Sequence, residues 1–163
     1  MEPIRIIENK ELLLAGCLVK YEGGDEWAKW EEMDAKQNDD PRYVHHHMVK
    51  GQKAHSLWFH LDEAYVFTGS EVTDKVKDTA WEYLSVPKVT YAVFDLDYKI
   101  DLDPQYELID LWVEKNNIYK WTKWDADGKL DSEKFSIYIY DHDGKFKENK
   151  IVEFWIPLVK VNE

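Results

Sequence analysis

The sequence predicts an α+β fold: one antiparallel sheet with its helices gathered on a single face. Three observations predict it. The periodic segments run strand, helix, strands and then again strand, helix, strands, the order of two βαββ units. The clearest extended segments alternate between two kinds of side chain, as strands with one core-facing side do. The 163 residues contain no low-complexity tract or linker, so they form one domain over 1–163, with pseudo-repeats at about 1–97 and 98–163.

Taken in order, Arg5–Ile7 and Leu12–Val19 read as strands, with Gly16 marking a bulge or a close approach. Gly23-Gly24-Asp25 gives a loop and an N-cap. The stretch EWAKWEEMDAKQ then places Trp27, Trp30 and Met33 on one helical stripe, and Asn38-Asp39-Asp40-Pro41 ends that helix. Arg42–Lys50, Ser56–Leu61 and Ala64–Val72 look extended, the last interrupted by Gly69; Val76–Trp81 is ambiguous. Val89–Leu96 follows Pro87 as a strand, and Asp103-Pro104 caps a second helix, PQYELIDLWVEK. Leu108, Ile109, Trp112 and Val113 recur on it at the 3.6 period and point inward. A turn around Asp125–Gly128 leads to the strand Phe135–Tyr140, a hairpin turn at Asp141–Gly144 follows, and Ile151–Val159 is the last strand.

Charge and composition exclude several functions. A net charge of −12, spread without a basic arm or acidic tail, disfavours direct binding to a nucleic-acid backbone. The start MEPIRIIENKE is neither a signal peptide nor an anchor, and no apolar run is long enough to span a membrane. One cysteine, Cys17, excludes an internal disulfide and fits a reducing, cytoplasmic setting. That thiol lies in an apolar strand, no phosphate-binding glycine loop or nucleophile elbow occurs, and no cofactor is expected. His45-His46-His47, even with His55, lacks metal-site spacing and reads as a solvated run, so no metal is expected either.

The anomaly is aromatic: eight Trp, ten Tyr and six Phe, 15% of the chain. Such rings fill a core or line a cavity with their polar tips inward. FSIYIYD sharpens the choice. Phe135, Ile137 and Ile139 form one face, an ordinary core set; Ser136, Tyr138 and Tyr140 form the other, with apolar bodies and hydroxyls. That second face meets either water or a hollow. In HSLWFHL, Leu57, Phe59 and Leu61 make the core side and leave Ser56, Trp58 and His60 opposite. In IVEFWIPLV, Val152, Phe154 and Ile156 pack under the helices, which turns Glu153 and Trp155 to the far side.

Three blocks, in this order and spacing, carry a family resemblance: AYVFTGSEV (64–72), VPKVTYAVFDLD (86–97), and FSIYIYD with VEFWIPLVK (135–160). The run from Tyr65 to Lys160 resembles the GyrI-like superfamily, the effector-binding domain of AraC-type and MerR-type bacterial transcription regulators. The resemblance implies a pseudo-twofold, concave eight-stranded sheet, a small-molecule pocket in its hollow and two helices on the convex face. It implies a drug-like, aromatic and often cationic ligand. The chain lacks the segment that would carry a helix-turn-helix, so it looks like the free-standing form, passing information to a separate protein partner or sequestering its ligand. The family's usual pocket glutamate would fall on Ser136 or Tyr138 and is missing; Glu153 is the available substitute.

The expected ligand-binding residues are therefore Trp58, His60, Tyr65, Phe67, Tyr91, Trp112, Ser136, Tyr138, Tyr140, Glu153 and Trp155. Trp121 and Trp124 are candidates for a flap at the cavity mouth. The leading expectation is a binder without catalysis. Some stand-alone relatives look like hydrolases of strained cyclopropane compounds, and in that case Glu153 would activate water with Tyr138 as proton donor. The family's name-giving members inhibit DNA gyrase, so an acidic protein-interaction role is the third reading.

Overall fold

The computed structural model describes residues 1–20, 53–60, 64–75, 82–121, 135–141 and 144–161. The expected helix over 26–37, strand over 42–50 and turn over 125–128 lie outside them, as do Trp27, Trp30, Trp124 and the histidine run. Among these residues seven strands and two helices follow in the order β1 (Arg5–Lys20), β2 (Lys53–His60), β3 (Ala64–Glu71), β4 (Glu82–Asp97), α1 (Asp103–Lys115), β5 (Tyr119–Trp121), β6 (Ser136–Asp141), α2 (Lys145–Asn149) and β7 (Ile151–Lys160). The class is α+β, as the sequence predicts. Neither described helix is long and apolar enough to cross a membrane.

The strands pair in the order β4-β1-β3-β2-β6-β7, and β7 pairs back onto β4. Every ladder is antiparallel. The expected concave sheet thus curls until it closes on itself. Leu158 pairs with Thr90 on one side and Trp121 on the other, so the short β5 continues the β6 edge of β7. Exchanging β1, β2 and β3 for β4, β6 and β7 maps the pairings onto one another. On this symmetry we place the boundary between the repeats ahead of Glu82 rather than after Asp97, because β4 opens the second set of strands.

A ring of six strands is too narrow to enclose a helix; an eight-stranded one is only just filled by side chains. The face that packs against α1 is therefore the outside. It carries Ala92, Phe94, Leu96, Phe154, Ile156 and Leu158, buried with Ile109 of α1. The opposite face is the interior, where Leu12, Leu14, Leu57, Phe67, Val86 and Val93 are buried together with Tyr91, Phe135, Ile137, Ile139 and Trp155.

Local chemistry explains several departures from the expected elements. β4 runs straight through Pro87, because the β1–β4 register slips between Lys10 and Leu12 and leaves an extra β4 residue there, where no ladder N–H is needed. A compensating bulge lies between Ile7 and Lys10, with Asn9 left-handed at φ 52°. Gly16 faces Gly69 across β1 and β3. A Cβ on Gly16 would run into the carbonyl oxygen of Thr68, and one on Gly69 into that of Ala15, so close backbone approach excludes larger residues.

α1 has Pro104 in its first turn, but Leu102 occupies the N-cap position and caps with no side chain. The Asp101 carboxylate accepts from the Asp103 amide in the first turn (3.1 Å), and Gln105 fastens the helix to the end of β4. Buried, it accepts from the Asp97 amide (2.7 Å) and donates to the carbonyls of Asp97 (3.0 Å) and Asp101 (2.9 Å). Its place on the inward stripe leaves Leu108, expected to point inward, 43% exposed. The expected hairpin turn at Asp141–Gly144 begins with Gly144 N–H donating to Asp141 (3.1 Å), then continues into α2, which Lys150 closes in the left-handed region at φ 56°.

Candidate ligand-binding site

Opposed residues of an antiparallel ladder share a face. Along the interior of β7, Glu153 stands opposite Asp95 and Ile139, Trp155 opposite Val93 and Ile137, and Pro157 opposite Tyr91. Three levels result: a charged end, an indole, and a buried phenol.

Tyr91 is fully buried. Its ring meets Trp155 at 5.3 Å, tilted by 55°, and Phe135 edge-on at 6.4 Å. Its hydroxyl has no hydrogen-bond partner among the described residues. Burial pushes its pKa up, so the group stays a neutral phenol. Phe67 is buried on the same interior face and Tyr65 is half-buried against it.

At the charged end, Arg5 grips Glu153 with both terminal guanidinium nitrogens, at 3.1 Å and 2.7 Å. Lys145 reaches Glu153 at 2.7 Å and Asp95 at 2.6 Å. The Trp155 indole N–H donates to Glu153 at 3.0 Å, and the Arg5 guanidinium lies 6.0 Å from the centre of the Trp155 ring. Burial by itself would raise the Glu153 pKa, but the hydrogen bonds from Arg5, Lys145 and Trp155 outweigh it and hold the carboxyl at about 2. Burial likewise disfavours the Lys145 ammonium, and its bonds to Asp95 and Glu153 win, pushing it up. Two cations and two carboxylates balance within this cluster.

β6 is turned the other way from the expectation. Ile137 and Ile139 share the interior with Trp155 and Glu153, and Tyr138 pairs with Phe154 on the outer face. There its ring lies 4.8 Å from Phe154, and its hydroxyl meets that of Tyr106 on α1 at 2.8 Å. Burial pushes the Tyr138 pKa up. The phenol tolerates the helix-covered side because Tyr106 satisfies its polar tip. Tyr140 is placed similarly, with its hydroxyl 3.2 Å from that of Tyr98 and its ring edge-on to Phe146 at 5.3 Å.

Ser136 pairs with Trp58, and Ser56 with Tyr138, so Ser136 and Trp58 belong to the outer face as well. Trp112 also lies outside, edge-on to Phe94 at 5.5 Å with its indole N–H donating to Glu2 at 3.1 Å. His60 lies at the end of β2, opposite Ala64. Trp121 is no flap: it sits edge-on to Phe154 and its indole N–H donates to the Phe135 carbonyl at 3.0 Å. The expected wall is thus divided. Tyr65, Phe67, Tyr91, Glu153 and Trp155 face inward; Trp58, Trp112, Ser136, Tyr138 and Tyr140 do not. Glu153 and Tyr138 stand on opposite sides of the sheet, so they cannot act as a catalytic pair on one molecule.

The sequence matches no family model and no curated protein. Solved structures do match. SAV2435 bound to tetraphenylphosphonium aligns with a TM-score of 0.60 at 14% identity, over 98% of this chain and 94% of that one. The EcmrR C-terminal domain aligns with a TM-score of 0.59 at 16% identity, over 96% and 97%. The chain shares its fold with these structures. At these identities the likeness concerns architecture, and the side chains must be argued from this chain itself.

Arg5, Lys145 and Asp95 are the site residues that sequence reading missed. Arg5 and Glu153 are separated by 148 positions, and only the β1–β4–β7 pairing brings them together. The available signal was small: Arg5 is the one cation in the short apolar strand at the start of the chain.

Proposed function

We propose that this chain is a receptor for a small aromatic, amphipathic molecule, admitted between Tyr91, Trp155, Phe67 and Tyr65 as the strands of the closed, side-chain-filled ring part around it. It performs no chemistry on its guest and works by sequestering or sensing it. The observation that carries the reading is the Tyr91 hydroxyl, fully buried among rings with no partner among the described residues. An unsatisfied buried hydroxyl costs about 1–3 kcal/mol. A ligand oxygen placed beside it would complete the bond. The same fold in SAV2435, solved bound to tetraphenylphosphonium, supports a guest of aromatic character.

Trp155 supplies the test. Titration of the full chain with a panel of neutral and charged aromatic compounds, followed by tryptophan emission and calorimetry, should give saturable binding for at least one ring-rich member. Replacing Trp155 with Leu should weaken that binding. A panel without any saturable response overturns the proposal.

A further inference from the structure

The charged end of the interior bears on which guest fits. A cation seeking this site would use two features, the Glu153 carboxylate and the face of the Trp155 indole. Both are already engaged by the chain's own Arg5, in a two-pronged bond to Glu153 and 6.0 Å from the Trp155 ring centre. Lys145 holds the other side of Glu153 and Asp95 as well, so among the described residues the charges of this cluster compensate one another. An incoming cation would meet a guanidinium where it needs a carboxylate. An anion fares no better deeper in, where Tyr91 is surrounded by Phe135 and Trp155. The phenol there, without a partner among the described residues, can donate one hydrogen bond to a neutral acceptor.

Resting on the binding function proposed above, we infer that Arg5 acts as a built-in cation that fills the cationic seat, so that the ligand is a neutral aromatic molecule whose carbonyl- or phosphoryl-type oxygen accepts from Tyr91. Arg5 and Tyr91 are then the specificity-determining residues, one by exclusion and one by recognition.

Two probes with similar rings and different charge test this: tetraphenylphosphonium, a permanent cation, and triphenylphosphine oxide, neutral with a phosphoryl acceptor. Both are titrated at about 0.15 M salt, where long-range attraction to the acidic surface is screened. The wild-type chain should bind the oxide at least about tenfold more tightly than the cation. Arg5→Gln should shift that ratio toward the cation by about tenfold, and Arg5→Lys, which keeps the charge, should retain the wild-type order. Tyr91→Phe should weaken the oxide alone. A wild-type preference for the cation, or a ratio unmoved by Arg5→Gln, overturns the inference while leaving the receptor reading standing. Failure of both probes and of the wider panel brings down both.

Discussion

Ile137 stands directly across the β6–β7 ladder from Trp155, and that one pairing decides which side of β6 faces the barrel interior. It leaves Tyr138 outside, bonded to Tyr106 and tilted against Phe154. Tyr138→Phe is therefore expected to cost about 1 kcal/mol, the value of one hydroxyl bond, and to leave the ligand titration unchanged. Ile137→Ala is expected to cost about 2–5 kcal/mol and to disturb binding, since it opens space beside Trp155. Urea denaturation alongside the titrations separates the two. A Tyr138→Phe chain of full stability that has lost its ligand would reverse the assignment of faces.

Tyr91→Phe should behave in the opposite sense. Removing a buried hydroxyl with no partner among the described residues relieves a desolvation cost, so the ligand-free protein should be unchanged or more stable by about 1 kcal/mol. Affinity should fall at the same time. Chemical denaturation with and without ligand reads both effects, and a substantial loss of stability in the ligand-free variant would show that the hydroxyl is already satisfied.

Acid should weaken the charged end. The Glu153 carboxyl is held at about 2 in the folded protein, below its ordinary 4.5, so it binds a proton more readily when the chain unfolds. Its contribution is complete above about 4.5 and is lost as the pH falls towards 2. Denaturation midpoints of the wild type should drop across that window, and Glu153→Gln should flatten the drop. Equal slopes for the two proteins would contradict the ion-pair geometry.

Gly16→Ala should be among the costlier small substitutions in the chain. The added methyl meets backbone atoms of Thr68 and Gly69, which cannot rotate aside as a side chain could. A loss of at least about 1–3 kcal/mol is expected from overpacking, measurable by urea denaturation. A neutral result would mean that β1 and β3 separate more easily than their paired glycines imply.

The sequence disclosed the class, the second helix and the inward set of β7, because Phe154 and Ile156 alternate with Glu153 and Trp155 in a way only one face assignment satisfies. It could not orient β6. Phe135, Ile137 and Ile139 suit a core under helices or a core within a barrel, and Tyr138 suits either side once its hydroxyl has a partner; only the register chooses. The start of β4 was hidden by Pro87, which reads as a break unless the bulge that accommodates it is known. The helix stripe was misjudged at Leu108 because Gln105, polar and by composition a surface residue, takes the buried position through three bonds to backbone atoms. Arg5 and Lys145 were missed because no local pattern announces contacts between opposite ends of a chain.

A closed ring has no free margin along which a visitor could slide in. Passage into it requires an open mouth or two neighbours that unzip. Among the described residues, three pairs join β6 to β7 whereas eight join β4 to β7, which makes the former the cheaper seam to part. Glu153 and Trp155 sit on that seam, so the hinge of any doorway and its lock would be the same few atoms.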